Sequence, residues 1–424
     1  MEATCYEGYI RLLRRELVPA LGCTEPIAIA YAAARATQIL GRRPEHLTVH
    51  CSGNIIKNVM GVTVPNSGQQ KGVAAAATLG AVAGDPEAGL EVLKGIREED
   101  IAVCRALVKE GFCTCKLAEG VDNLYIRIEA ISGGESAEVT VAHTHTNVVQ
   151  IVKNGAVVFA REQTDCGEDP FVAQLTIGGI LDFARNARIE DVREPLERQI
   201  ACNTAISEEG LAPPYRANIG KMLLRQGGFA STVKGKVAAG SDARMNGCSM
   251  PVVINSGSGN QGLAVSLPVV EYAEAQGASR EELLRALAVS NLISLYAKKK
   301  IGSLSAFCGA ATAAAASGAG IAYLKGWPER KLAQVVEATL VNVGGMICDG
   351  AKSTCAAKLA TALDAMLMSL DMLESGDAFG AEEGLMGASA EETVSNICYV
   401  GRHGMAQTDL DVLRIMTGEI QTAE

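Results

Sequence analysis

Apolar residues recur with two different periods along the chain, and each period predicts a different kind of element. Helical spacing predicts helices over 7–18, 27–40, 98–110 and 189–207. Between 112 and 160 the period is two, which predicts an antiparallel meander of strands, with Asn154-Gly155 as a hairpin turn. A separate strand is expected at 47–51. From Phe171 onward the pattern is again mostly helical.

Polar, glycine-rich stretches interrupt these elements. A short strand is expected at 61–65, and 240–248 is expected to be a loop. The stretch 255–262, Asn-Ser-Gly-Ser-Gly-Asn-Gln-Gly, precedes an apolar helix. It is neither the glycine fingerprint of a dinucleotide-binding βαβ unit nor a Walker loop, because no Gly-Lys-Ser/Thr follows. Glycines and hydroxyls before a helix form an anion nest, so a small carboxylate is the expected ligand.

Composition changes this picture in two ways. A chain of 424 residues can bury a large core, in two domains or one large composite domain. A formal charge of −10 and a pI near 5.2 argue against nucleic acid or an anionic membrane as partner. The long apolar run 306–324 is mostly Ala, Gly and Ser, which predicts a buried helix and not a membrane span.

The chain has thirteen cysteines, an odd number that excludes a complete disulfide framework. The first residues show no basic region followed by an apolar one, so no signal peptide is expected. Reduced thiols in the cytoplasm are therefore the favoured interpretation. In that compartment a set of cysteines is more often metal-binding or catalytic than disulfide-bonded.

Three of these cysteines lie in the alanine-rich, helical part of the chain. Cys308, Cys348 and Cys355 are 40 and 7 positions apart, with no Cys-x-x-Cys, which argues against a zinc ribbon or a ferredoxin cluster. Seven residues of straight helix span ~10.5 Å, too far for two ligands of one small cluster. Asp349-Gly350 could break the helix between them. Spacing alone nevertheless favours three buried structural thiols.

A fourth cysteine, Cys23, directly precedes a predicted helix. Thr24 or Glu25 can cap that helix, and Pro26 suits its first turn. Free N–H groups and the helix dipole lower the pKa of a thiol placed there, although Cys23 could equally be a small buried residue. His143 and His145 fall on one strand face, where a solvated or core-edge pair is favoured over a metal site.

These motifs together resemble the L-cysteine desulfidase family, a bacterial group related to the alpha region of iron–sulfur L-serine dehydratases. The resemblance runs nearly end to end, and the combination is far more specific than any single motif. The matching segments are Gly22-Cys23-Thr24-Glu25-Pro26, Gly53-Asn54-Ile55-Ile56-Lys57-Asn58, Asn255-Ser256-Gly257-Ser258-Gly259-Asn260-Gln261-Gly262, Phe307-Cys308-Gly309, and Ile347-Cys348-Asp349-Gly350-Ala351-Lys352 with Cys355.

The resemblance implies a [4Fe–4S] cluster bound by Cys308, Cys348 and Cys355, with the fourth iron left for substrate. It implies that Cys23 is a catalytic group near the cluster. The implied reaction is β-elimination of L-cysteine to pyruvate, ammonia and hydrogen sulfide. The resemblance and the anion-nest chemistry together place the substrate carboxylate among Lys57, Asn58, Asn255, Ser256, Ser258, Asn260 and Gln261, with Arg244 as another clamp.

Other functions stay open at this point. An iron–sulfur L-serine dehydratase would use the same cluster with a substrate that differs by one atom. A pyridoxal-phosphate lyase could run the same reaction, although no lysine has a convincing phosphate cradle. An iron–sulfur redox or sensor protein would need a fourth ligand, so Cys248 or Cys398 would have to approach the other three. A structural protein would leave the three cysteines apart.

The expected fold is α/β of the α+β type. An α+β domain with the antiparallel sheet, residues 45–165, is expected to pack on a larger helical, cluster-carrying domain formed by 1–44 and 166–424. The active site is expected where the two parts meet. The expected partner is a small amino acid, L-cysteine or L-serine, with no nucleic acid or membrane. A homo-oligomer in the cytoplasm is also expected.

Overall fold

A computed structural model of the chain describes residues 3–161, 170–302, 304–381 and 383–420. The helices are α1 (Ala3–Glu16), α2 (Thr24–Leu40), α3 (Gly53–Met60), α4 (Gly72–Ala83), α5 (Glu98–Lys109), α6 (Ile177–Asn186), α7 (Ile189–Leu211), α8 (Ile219–Leu224), α9 (Phe229–Met245), α10 (Gly259–Gln276), α11 (Arg280–Ile301), α12 (Gly309–Leu324), α13 (Glu329–Val343), α14 (Cys355–Glu374), α15 (Ala390–Tyr399) and α16 (Ala406–Thr417). The strands are β1 (Pro19–Leu21), β2 (His46–Cys51), β3 (Cys113–Leu117), β4 (Tyr125–Ser132), β5 (Glu135–Ala142), β6 (Val148–Lys153), β7 (Ala156–Ala160) and β8 (Pro251–Val253). The four helices predicted from periodicity are all present.

Six strands form a mixed sheet in the order β3-β2-β4-β5-β6-β7. Strands β4 to β7 make the predicted antiparallel meander, with Ile128 opposite Val139. The prediction that β3 belongs to this meander is wrong, because β2 lies between β3 and β4 and pairs with β3 in parallel, Leu47 beside Cys113. Helices α3 to α5 supply the long crossover that a parallel pair requires. Strands β1 and β8 form a separate antiparallel pair.

Two sequence predictions about the polar stretches fail. The stretch 61–65 contains a single β-bridge, Thr63 to Lys71, and no strand. The stretch 240–248 is not a loop, because α9 continues to Met245. Its small residues serve close packing instead: a Cβ added at Gly240 would press on the Leu263 side chain of α10. Small and polar residues in this stretch are typical of a loop, but residues 240–245 are buried and helical.

Helices α2 and α4 pack against each other, and α2 lies on strands β4 and β5. The two helices approach so closely that a Cβ at Gly80 would collide with the Ala30 backbone. In the helical part α12 is the central element, buried among α10, α11, α13 and α14. The predicted buried helix at 306–324 is thus confirmed, and in the described ranges no helix is long and apolar enough to cross a membrane.

The fold is of the α+β class, as expected. The division into domains at 45 and 165 stays a prediction. Residues 162–169 lie outside the described ranges, and α2, assigned to the helical part, packs on the sheet.

Candidate functional site

Four helices direct their N-termini at one cavity of about 110 Å³. They are α2, α10, α12 and α14, and the turn after β5, α3 and the end of α11 complete the wall. Each N-terminus brings unpaired N–H groups and the positive end of a helix dipole, so the cavity favours anions. We name it the thiol chamber after the four cysteines in its lining, Cys23, Cys308, Cys348 and Cys355.

Backbone pairing brings the two distant cysteine segments together. Cys308 is the N-cap of α12, and Cys348 lies in the extended segment between α13 and α14. The backbone N–H of Cys348 donates to Ala306 O at 2.6 Å, and that of Cys308 donates to Met346 O at 3.0 Å. Cys355 opens α14, in the same cavity. Three thiols 40 and 7 positions apart therefore share one chamber.

Gly350 allows Cys348 and Cys355 to meet. Its φ is +89°, in the left-handed region, and the chain turns there before α14 begins. The prediction that the chain is not one continuous helix across these two cysteines is confirmed. A Cβ at Gly350 would collide with the backbone carbonyl of Lys57.

Replacing Gly350 with alanine is expected to destabilise the iron-free protein by roughly 2–4 kcal/mol, from left-handed strain plus overpacking. Gly376 is a matched control, with a φ of +90° and no atom within 4 Å of an added Cβ. Gly376→Ala should cost only about 1 kcal/mol. Urea unfolding of both variants measures the difference, and equal losses would contradict the crowded geometry at Gly350.

Two of the three cysteines, Cys308 and Cys348, share a hydrogen bond that shifts both of their pKa values, whereas burial raises the pKa of Cys355. A hydrogen bond from Cys308 lowers the pKa of Cys348, assisted by the charge of Lys57, and the same hydrogen bond raises the pKa of Cys308. The ammonium groups of Lys298 and Lys358 also act on both sulfurs. Metal-bound cysteines are thiolates, which this positive surrounding favours.

The donor set fits an iron–sulfur cluster better than a single ion. In the part of the chain that the structure describes, no three His, Cys, Asp or Glu side chains are grouped so that they could hold a metal ion. A cluster spreads its thiolates over several irons and needs no such convergence on one point. Three thiols, helix N-termini and nearby lysines form a suitable cradle for it.

Cys23 directly precedes α2, as predicted. It is itself the N-cap, so the prediction that Thr24 or Glu25 caps this helix is wrong, and the environment of its thiol also differs from the expected one. Its thiol donates a hydrogen bond to Oε2 of Glu25 at 2.8 Å. Burial and the charge of Glu25 raise the pKa of Cys23, so the prediction of a lowered pKa is wrong. The thiol is held beside a carboxylate that can receive its proton.

Glu25 is buried and central to this arrangement. Its Oε1 accepts a hydrogen bond from Asn58 at 3.0 Å and lies 4.0 Å from Nε2 of His145. Burial acts to raise the pKa of Glu25, but His145 and the hydrogen bond from Cys23 together lower it. The carboxylate is therefore ionised at neutral pH, next to a protonated thiol.

Six of the eight residues predicted to bind substrate line the chamber: Asn58, Arg244, Ser256, Ser258, Asn260 and Gln261. The predicted nest is present at the start of α10. Ser256 and Gly257 have positive φ values, and Ser258 is the N-cap. Oε1 of Gln261 is buried without a hydrogen-bond partner, as expected of a group that awaits a ligand.

Arg244 lines the chamber but is already engaged. Its Nε and Nη2 donate to the carbonyl of Gly22 at 2.9 and 2.6 Å, and Nη1 donates to Oδ1 of Asn260 at 2.6 Å. A Cβ at Gly259 would collide with its guanidinium. Arg244 thus ties the Cys23 turn to α10 and is not a free carboxylate clamp.

Lys57 and Asn255 do not line the chamber, which corrects two predictions. Asn255 is buried and donates to the backbone and side-chain oxygens of Asn291. Lys57 is 1% exposed, forms an ion pair with Asp409 of α16 and donates to the carbonyl of Cys348 at 3.4 Å. Asp409 also accepts from Asn54 at 2.6 Å. Lys57 and Asn255 therefore support the walls of the site.

Replacing Asp409 with asparagine would leave the buried ammonium of Lys57 without its counter-charge. Such a loss costs about 3–5 kcal/mol for a fully buried pair, and we expect somewhat less because Asp409 is 13% exposed. Asp411→Asn is the control, since Asp411 binds only Gln407 of the same helix among the described residues. Urea unfolding measures both variants. Equal stability would contradict a supporting role for α16.

The sequence did not reveal the place of four residues in the chamber lining: Glu25, His145, Lys298 and Lys358. Glu25 was interpreted only as a helix cap and His145 as a solvated or core-edge residue. Lys298 and Lys358 were not singled out, yet both line the chamber. The basic run 298–300 resembles an ordinary helix end. The only sign in the sequence that Lys298 is buried is the long apolar helix that precedes it.

Comparisons with known proteins identify the family of the chain. Residues 87–414 match the family model of the serine dehydratase alpha chain. A UPF0597 protein of Lachnoclostridium phytofermentans is 46% identical over 414 residues, covering 97% of this chain and 99% of that protein. UPF0597 proteins of Finegoldia magna and Chromobacterium violaceum are 44% and 37% identical, over 97% and 98% of this chain and 99% and 98% of their own lengths.

Proposed function

The chain belongs to the serine dehydratase alpha chain family. We propose that it is an iron–sulfur lyase, as that membership suggests, and that its substrate is L-cysteine, as the combination of its sequence motifs suggests. The reaction is β-elimination to hydrogen sulfide and an aminoacrylate, which hydrolyses to pyruvate and ammonia. The observation that carries the proposal is the thiol chamber, where Cys23 and the three cysteines 308, 348 and 355 line one anion-favouring cavity. The family is generally iron–sulfur dependent.

Cys308, Cys348 and Cys355 would hold a [4Fe–4S] cluster through their thiolates. Three protein ligands leave one iron open, and an open iron supplies a Lewis acid for the leaving group. The lysines 57, 298 and 358 balance the negative charge of the thiolates.

Cys23 and Glu25 move the Cα proton in this proposal. Glu25, held ionised beside Asn58 and His145, accepts the proton of Cys23 across their 2.8 Å hydrogen bond. The resulting thiolate lies at the N-terminus of α2, where the helix dipole stabilises it. Cys23 then takes the proton from Cα. Because the pKa of Cys23 is raised and that of Glu25 is lowered, this transfer is uphill in the ligand-free chamber, so in this proposal the thiolate forms only in the substrate complex.

The start of α10 would bind the substrate carboxylate. The turn at Ser256 and Gly257 and the N-terminus that Ser258 caps present N–H groups towards the chamber. The unpartnered Oε1 of Gln261 can accept a hydrogen bond from the substrate ammonium group. Both interactions orient Cα towards Cys23.

An iron–sulfur redox or sensor protein would need Cys248 or Cys398 as a fourth cluster ligand, and neither lines the chamber. Cys398 donates to the carbonyl of Ala297, and Cys248 accepts from the backbone N–H of Met250. Cys23 is a fourth thiol in the cavity, but its proton is held by Glu25. A small amino acid thus stays the proposed partner, and a cytoplasmic homo-oligomer stays an expectation.

Anaerobic purification followed by turnover assays tests the proposal. We expect brown protein with about four iron atoms per chain and release of equal amounts of sulfide and pyruvate from L-cysteine. Faster pyruvate formation from L-serine would make the enzyme a serine dehydratase instead. A colourless, iron-free and fully active protein would overturn the cluster, and an absorbance scan would then test for pyridoxal phosphate.

A further inference from the structure

A second cavity, of about 230 Å³, shares a wall with the thiol chamber. We name it the entrance cavity. His145, Ser256, Gly257 and Lys298 line both cavities. The two spaces therefore adjoin at these four residues, which belong to the turn after β5, the start of α10 and the end of α11.

The entrance cavity leads from the surface inward. At its outer end Arg15 and Thr146 are exposed, and at its inner end Leu124, Leu295 and Lys298 are buried. Six of its seventeen described lining residues have apolar side chains. A small molecule that enters at Thr146 would reach Lys298 before it reaches Cys23.

The charges of this lining favour an anion. Among the described lining residues, Arg15 pairs with the carboxylate of Glu16 at 2.9 Å, and Lys298 is the buried cation at the inner end. The whole chain carries a net charge of −10, so a buried cation beside a cavity is a local departure. A cavity of one sign with low-dielectric walls concentrates ligands of the opposite sign.

Lys298 is the buried, positively charged side chain on the shared wall. Its side chain is 5% exposed, and no described residue accepts a hydrogen bond from its ammonium group or forms an ion pair with it. Burial accordingly lowers its pKa. The sulfurs of Cys308, Cys348 and Cys398 are the opposing charges that act on it. Burying an ammonium that has no hydrogen bond or ion pair is costly, and a bound carboxylate would offset that cost. Nε2 of His145, which lies 4.0 Å from Oε1 of Glu25 and has no hydrogen bond, is on the same wall.

We propose that the entrance cavity is the passage through which a small amino acid reaches the thiol chamber, and that Lys298 binds its carboxylate on the shared wall. The identity of that amino acid rests on the proposed function, whereas the passage and its preference for small carboxylates do not. Lys298 then sets the orientation in which the substrate arrives, before the N-terminus of α10 completes the carboxylate site.

The passage can be tested without turnover, because Cys23 is only 3% exposed and serves as a reporter. In iron-free protein, alkylation of Cys23 by iodoacetate and by iodoacetamide is followed by peptide mass spectrometry. Thr146→Trp should slow both reagents several-fold. Thr114→Trp, at an exposed threonine of β3 that lines neither cavity, should slow neither.

Lys298 is tested with the same two reagents, one a carboxylate and the other neutral. Lys298→Met should slow iodoacetate about tenfold, in the range of electrostatic steering, and leave iodoacetamide nearly unchanged. Lys298→Arg should restore the rate with iodoacetate. An equal loss for both reagents would show a purely structural role and overturn the carboxylate assignment. Unchanged Cys23 alkylation in Thr146→Trp would overturn the passage.

The cluster-loaded enzyme separates this inference from the proposed function. In Thr146→Trp, kcat/KM for L-cysteine should fall mainly through KM, with the cluster absorbance unchanged. In Lys298→Met it should also fall mainly through KM when the rates are compared per bound iron, because Lys298 acts on the cluster sulfurs as well. If wild-type protein turns over neither amino acid but the alkylation pattern holds, the proposed function fails and the passage stands. If turnover is normal and both variants behave as wild type, the passage fails alone.

Discussion

Replacing Cys348 with alanine is expected to remove the brown colour and most of the iron from anaerobically purified protein, and with them all pyruvate formation. Cys348 is the thiol of the three whose pKa the surroundings lower, through Cys308 and Lys57. It is therefore the readiest thiolate, and metal binding requires thiolates. Cys308→Ala and Cys355→Ala should behave in the same way. Visible absorbance, iron content and pyruvate release are the measurements.

Cys202→Ala is the matched control for these three variants. Cys202 is also a partly exposed free thiol, but it lies on α7 and lines neither cavity. It should keep its colour, iron and activity. A brown and fully active Cys348→Ala protein would show that the cluster, if present, is held elsewhere.

The fold was predictable from sequence where the information is local. Alternation of apolar and polar residues identified β4 to β7, and a two-residue turn joins β6 to β7. The neighbour of β3 was not predictable in this way. Its partner β2 precedes it by more than 60 positions, and the intervening helices decide whether the pair is parallel or antiparallel. The prediction of a loop at 240–248 was wrong for a related reason, because only the packing partners of this stretch distinguish a buried helix from a loop.

The candidate site shows the same difference between local sequence information and long-range contacts. Cys23 and the three cluster cysteines could be named because each sits in a short, distinctive motif. Lys57 sits in a motif too, but its role is set by Asp409, 352 positions away. Asn255 is likewise committed to Asn291. A motif indicates that a residue matters, and only tertiary contacts decide whether it faces the ligand or supports the wall.

Lys298 shows the converse case. Within the sequence it belongs to a basic run at the end of α11, which is the ordinary place for lysines because they complement the helix dipole. Its two neighbours differ from it: Lys300 donates to Ser395, and Lys299 is more exposed. Burial of one lysine of the three is what marks it, and burial depends on the whole fold.

Replacing Cys23 with alanine is expected to leave the cluster in place and to abolish most turnover. The thiol is held at 2.8 Å from Glu25 and, in the proposed mechanism, carries the Cα proton. Loss of a positioned acid–base group lowers kcat by roughly 10²–10⁴-fold. Iron content and absorbance should match wild type, and sulfide and pyruvate release should fall together. Cys104→Ala removes a buried thiol from α5, outside the chamber, and should keep wild-type kcat.

The iron content of Cys23→Ala also decides between the lyase and the redox alternative. If Cys23 were a fourth cluster ligand, the cluster would need it to stay intact. Cys23→Ala would then lose iron, as Cys348→Ala is expected to do. An acid–base group acts on the substrate alone, and its removal leaves the three cluster thiols unchanged. Iron loss equal to that of Cys348→Ala would therefore make Cys23 a ligand, close the open iron and refute elimination at this site. Full iron with lost turnover is the result that the hydrogen bond to Glu25 leads us to expect.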